Sequence, residues 1–164
     1  MANWTYVVYV DSTVNPTGGE FGHAYIAVTS PTGETTMVGY YPNVALPGTI
    51  GLPGSSGHHV LEGPGIVRDD STMGRDPVTG AVTQHRYDYA TVPKEISPET
   101  AQNMLDYIAH VTANPGQYGV FGNNCVEFVE DLMIIAGDRS RLSDVVPPIW
   151  LKGQLYLLEL FSGM

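Results

Sequence analysis

From Cys125 onward the apolar residues Phe128, Val129, Leu132, Met133 and Ala136 recur at intervals of three and four, the pattern of one face of an α-helix. That face has to be buried, while Glu127, Glu130 and Asp131 take the opposite side. Asn124 is placed to cap the helix, Glu127 completes a capping-box pattern, and Gly137 is placed to end it in the left-handed conformation. Cys125, the only cysteine, therefore falls in the first turn. Unpaired N–H groups and the helix dipole there favour an anion, which lowers a thiol's pKa toward the nucleophilic thiolate. Glu127 and Glu130 oppose that shift, so activation requires an imidazole close by. A lone cysteine is otherwise a small buried hydrophobe. The run Gly-Asn-Asn-Cys into a helix start favours the nucleophile.

Strands and loops dominate the rest. Residues 4–11 (WTYVVYVD), 21–29 (FGHAYIAVT) and 34–41 (ETTMVGYY) are rich in β-branched and aromatic residues. Turn signals at Asn15-Pro16-Thr17-Gly18-Gly19 and Ser30-Pro31-Thr32-Gly33 separate them, which predicts an antiparallel meander. A turn centred on Pro31 and Thr32 puts His23 opposite Tyr40 and brings Asp11 to the same end of the sheet. Residues 42–80 scatter Pro42, Pro47, Pro53, Pro64 and Pro77 among many glycines without periodicity, and read as a long loop, either a lid or a disordered insertion. His58 and His59 within it lack further ligands at suitable spacing and make a poor metal site.

Residues 82–90 (VTQHRYDYA) read as a strand carrying His85 as an ordinary half-exposed residue. Ser97 and Pro98 open a helix to about Ala113, with Ala101, Met104, Leu105 and Ile108 on its buried stripe and His110 solvated. Residues 149–161 (IWLKGQLYLLELF) read as an apolar terminal segment, either a helix or strand covering the core or a contact for a partner or membrane surface, the last disfavoured by the scarcity of basic residues.

With 164 residues and 43% hydrophobic content, the chain makes one domain, 1–164, with a proper core. A formal net charge of −10 repels nucleic acid and anionic membrane surfaces and suits a basic partner. One cysteine excludes an internal disulfide. The start MANWTYVVYVDS lacks the basic and apolar regions of a signal peptide, and no apolar run approaches the ~18 residues of a membrane span. The expectation is a protein made in the cytoplasm, whose export would need a dedicated secretion system.

A cysteine hydrolase needs a thiol at a helix start, an imidazole in reach, a group that orients the imidazole, and N–H donors for the oxyanion. His23, at the mouth of its strand, is the best base. The segments GHAYIAV, MVGYYP and, about a hundred residues after the first, NNCVEFVEDL resemble the papain-like superfamily. The order His before Cys is similar to its circularly permuted branch, which includes the NlpC-type relatives of lecithin:retinol acyltransferase. The likeness covers residues 23–41 and 118–137, about a quarter of the chain. The chain is also similar to bacterial toxin and type VI secretion effector domains that cut peptidoglycan crosslinks or proteins.

This resemblance implies an α+β fold, a small antiparallel sheet packed against the helix that bears the cysteine. It implies Cys125 as nucleophile, His23 as general base and then acid, and backbone N–H groups around Asn124 and Cys125 as part of the oxyanion hole. It implies no metal and no organic cofactor. The third member departs from the pattern: relatives carry Asn, Asp, Gln or His on the strand after the histidine, and this chain has Gly39, Tyr40 and Tyr41. Asp11 or Tyr40 stands in its place. The expected activity is that of a cysteine peptidase or amidase on a peptide or protein substrate, delivered as an effector and neutralised by an immunity protein. The alternatives are a lipid-directed acyltransferase or thioesterase, and a binding module that has lost turnover.

Overall fold

Alternation of large apolar and polar side chains carries the first three strands: β1 (Trp4–Asn15), β2 (Glu20–Thr29) and β3 (Thr35–Pro42), paired antiparallel in that order. The computed structural model describes residues 3–15, 20–43, 50–51, 60–119 and 123–142. His58, His59 and the apolar segment 149–161 lie outside the described residues, as does most of the stretch that would decide between lid and disordered insertion.

Even-numbered side chains of the three strands, Tyr6, Val8, Val10, Ala24, Ile26, Val28, Val38 and Tyr40, form one buried face. Two helices cover it. The first, α1 (Pro98–Ala113), contributes Ala101, Met104 and Ile108, and its N-cap Ser97 accepts from the Thr100 N–H as its sequence predicts. The second, α2 (Cys125–Ile135), contributes Phe128, Val129, Leu132 and Met133. Each such side chain fully withdrawn from water contributes ~1.5–3 kcal/mol, so this face is the main source of stability.

The β2–β3 hairpin closes one residue later than the Pro31-Thr32 turn implies. Ser30 N–H donates to Glu34 O at 2.8 Å, Gly33 N–H donates to Ser30 O at 3.0 Å, and Gly33 sits at φ +91°. The loop is therefore three residues with a left-handed glycine. Register follows as Tyr25↔Gly39 and Ile26↔Val38. That slip of one residue exchanges faces: Tyr40 goes into the core and Tyr41 comes beside His23, their rings 4.3 Å apart. Asp11 comes to the same end of the sheet as His23, as expected, and pairs with it in the β1–β2 ladder; the register then shifts between Asp11 and Val14. Such a bulge re-aims side chains at the mouth of a sheet.

Within the supposed loop 42–80 lies β5 (Val60–Asp69), which pairs with β3 on one side. On the other it pairs with the short strands β4 (Ile50–Gly51) and β10 (Gln117–Gly119). Gly63-Pro64-Gly65 hid it, because this composition ordinarily marks turns. Here the composition has a packing reason. A side chain at Gly65 would run into the Tyr40 hydroxyl, which donates to the Pro115 carbonyl. Gly65→Ala is accordingly expected to destabilise the protein by ~1–3 kcal/mol, the usual cost of overpacking, read as a lower urea midpoint at unchanged slope.

Beyond β5, a single 3-10 turn at Asp70–Thr72, capped by the Asp69 carboxylate, reverses the chain. A small ribbon of β6 (Gly74–Arg75) and β7 (Val82–Thr83) follows, and then β8 (Tyr89–Ala90) and β9 (Lys94–Ile96) pair with β1. The expected strand 82–90 is thus broken in the middle. His85 N–H donates to Asp70 O at 2.7 Å and Asp88 N–H to Val10 O at 3.0 Å, tying that stretch to the end of the sheet. The main sheet runs β10-β5-β3-β2-β1-β8, antiparallel throughout, with β4 on β5 and β9 on β1. The α+β expectation therefore holds. No helix among the described residues is long and apolar enough to cross a membrane.

Candidate active site

Cys125 is the first residue of α2 and is buried. Asn124 caps the helix as expected: its side-chain oxygen accepts from Val126 N–H at 2.9 Å and Glu127 N–H at 3.2 Å. Asn123 adopts φ 58°, a left-handed conformation that asparagine tolerates, and its N–H donates to the Glu127 carboxylate. The expected capping box is thus closed one residue earlier than the pattern states. Phe128 N–H returns to Asn124 O at 3.1 Å. Within this first turn the N–H of Cys125 itself is the donor that the cap does not use, which is where an oxyanion needs one.

Three groups converge on the sulfur. The His23 imidazole and the Ala24 backbone N–H hydrogen-bond to it, and so does the Tyr118 hydroxyl. The structure therefore brings together Cys125 and His23, the pair on which the sequence reading rests. Behind His23, the fully buried Asp70 places Oδ2 3.5 Å from Nε2. The ring thus meets that carboxylate through Nε2 while it also hydrogen-bonds the sulfur. Gly39 makes this approach feasible, since a Cβ there would press on both Asp70 Oδ2 and His23 Nε2.

The third position is thus taken by neither sequence candidate. Asp11 Oδ2 accepts from Arg86 Nε at 2.7 Å and lies 3.8 Å from His85 Nε2. Tyr40 is buried beside Phe128 and receives the Asn123 amide at 3.3 Å, on the core side of β3. Asp70 stands there instead. Its other oxygen accepts from the Tyr41 hydroxyl and lies 3.4 Å from His85 Nδ1. His85, expected to be unremarkable, is half-buried and packs 4.8 Å from the His23 ring. Two adjacent acids after a β-branched run were the available signal: Asp69 caps the turn, and Asp70 is left to point inward.

Burial alone would lower the His23 pKa, but the hydrogen bonds to Asp70 and to Cys125 overcome it and push the imidazole up to about 9. Burial raises the Cys125 thiol, and the bond to His23, its positive charge and the Ala24 N–H more than reverse this, leaving the thiol below its ordinary value. The opposing carboxylate is Asp70. Burial and the Asp70 charge hold the Tyr41 phenol well above its usual range, so it stays a donor. The arrangement favours a thiolate–imidazolium pair oriented by a carboxylate. His23, Asp70 and His85 also present one potential metal-ligand atom each, all within 4.8 Å of one another.

Compared with family models, with curated proteins and with solved structures, the chain has no match in any of the three.

Proposed function

We propose that the protein is a cysteine hydrolase of papain-like, permuted NlpC-type architecture, a peptidase or amidase that works through a thioester. The observation that carries this reading is the sulfur of Cys125 hydrogen-bonded to an imidazole whose Nε2 faces a buried carboxylate. In the reaction, the Cys125 thiolate attacks the amide carbonyl and the C–N bond breaks as His23 gives its proton to the leaving amine. His23, now neutral, takes a proton from water, whose oxygen attacks the thioester. The acid departs, and thiolate and imidazolium are restored. The Cys125 N–H, together with the Tyr118 hydroxyl that already touches the sulfur, serves the oxyanion. Asp70 orients His23 and balances its charge.

The resemblance to effector toxins supports peptidoglycan crosslinks or a protein of a rival cell as substrate, and an immunity protein with a basic face suits a chain of net charge −10. Incubation with peptidoglycan, a casein-like protein and phospholipid, each alongside Cys125→Ala, tests the reading. Release of peptide fragments from one of the first two, abolished in the variant, is the expected result. Turnover of phospholipid alone would make the protein an acyltransferase or lipase. No turnover, with Cys125 alkylated by iodoacetamide at the pH of an ordinary thiol, would make it a binding module.

A further inference from the structure

We propose that His23, Asp70 and His85 form a binding site for a divalent metal ion of the zinc class, and that filling it switches the hydrolase off. Binding stands on donor geometry alone; the switching rests on the cysteine-hydrolase reading. The three side chains come from β2, from the turn after β5 and from the stretch that leads to β8, so only the folded chain assembles them. His23 Nε2 lies 3.5 Å from Asp70 Oδ2, and His85 Nδ1 lies 3.4 Å from Asp70 Oδ1. One donor atom from each of the three residues lies within 4.8 Å of the other two, and a tetrahedral zinc with bonds of about 2.0–2.2 Å holds its ligands roughly 3.3–3.5 Å apart, so small side-chain rotations that draw the donors together by about 1 Å complete the shell.

The donor set selects the ion. Two imidazoles and one carboxylate suit zinc and its neighbours, whereas magnesium and calcium prefer shells of oxygen. Tyr41 Oη, 3.3 Å from His85 Nδ1 and bonded to Asp70, touches two of the three donors. A partner for an outer shell stands nearby. His85 Nε2 lies 3.8 Å from Asp11 Oδ2, and Asp11 is held by Arg86, so a small closure gives the carboxylate–histidine pattern that fixes metal-binding imidazoles. Asp70 is sealed from water and His23 nearly so, while the His85 side chain keeps 22% of its surface exposed and provides the way in.

Metal on Nε2 removes His23 from proton traffic. A ring that holds a cation on one nitrogen cannot become an imidazolium, and it surrenders its remaining N–H far less readily than an imidazolium does. The leaving amine then receives no proton, and Asp70 no longer orients the base.

The test uses the full chain, stripped with chelator and desalted, then titrated with zinc chloride against a chromogenic zinc chelator. One equivalent bound at micromolar or tighter affinity is expected, and His85→Gln should weaken it at least about tenfold. A double variant of His58 and His59 to Ala should bind as the wild type does. Cobalt in place of zinc should give no thiolate charge-transfer band, since Cys125 is not a ligand. Absence of stoichiometric binding, affinity untouched by His85→Gln, loss of binding in the His58 and His59 variant, or a strong thiolate band would each overturn the site. Should His85→Gln not fold, wild-type stoichiometry and the cobalt spectrum still decide. Because binding is scored without substrate, a chain that binds zinc but hydrolyses nothing sinks the proposed activity alone. A chain that hydrolyses but ignores zinc sinks the metal site alone, and turnover undiminished at saturating zinc sinks the switch.

Discussion

Replacing His23 by Ala turns Cys125 into an ordinary thiol: at pH 6, in chelator-treated protein, alkylation by iodoacetamide slows by on the order of 100-fold. An unperturbed thiol with a pKa near 8.5 is less than about 1% thiolate at that pH, and only the thiolate reacts. In the wild type, burial pushes the thiol up, and contact with the imidazolium together with the Ala24 N–H brings it below the usual range. Removing the imidazolium leaves burial and the Asp70 charge, which both raise the thiol, opposed by the Ala24 N–H. The sign of the pH dependence follows. Wild-type alkylation persists as pH falls below the ordinary thiol range, because the thiolate keeps its counter-charge, and that counter-charge fades only as pH rises through about 9. His23→Gln, which keeps a hydrogen-bonding side chain without the charge, should behave like His23→Ala. Equal rates for wild type and both variants at pH 6 would mean that the sulfur is not activated.

Asp70→Ala should cost the most stability of any single change at the site, ~3–5 kcal/mol. The carboxylate is fully buried and serves three partners: His23 Nε2, His85 Nδ1 and the Tyr41 hydroxyl. Deleting it takes a charge partner from the buried imidazolium and the Tyr41 phenol's carboxylate acceptor, and leaves a cavity. Asp70→Asn separates charge from shape. It fills the space and can still accept one hydrogen bond, so the fold should survive, while hydrolysis falls by about 10–100-fold and the alkylation profile moves toward that of an ordinary thiol. Urea denaturation and iodoacetamide kinetics on both variants check this. A midpoint within error of wild type for Asp70→Ala would show that the carboxylate is not the anchor of the cluster.

The nucleophile and the base were legible because each is announced locally. Helical periodicity, a capping asparagine and a glycine stop place Cys125, and an alternating strand places His23 at its mouth. The α1 boundaries were legible for the same reason, with Ser97 and Pro98 at its start. Asp70 is announced by nothing beyond its pairing with Asp69, and His85 by no pattern of its own. Asp70 takes its position from β5, whose glycines answer the tertiary demands of Tyr40, not a local turn preference, and so look like punctuation. His85 lies where an alternating run gives up pairing to bond the end of β5, a choice made by distant chain. The misassignment of Tyr40 has a smaller cause: one residue in a hairpin loop decides which of two adjacent tyrosines faces the histidine.

The positions of His23, Asp70, His85 and Cys125 along the chain also govern when reactivity is born. Synthesis or translocation that begins at the amino end yields the base, then the acid, then the second histidine, and delivers the sulfur last, after α1 has been made. A form that stops short of Cys125 lacks the sulfur, and the thiol meets the imidazole only once α2 docks.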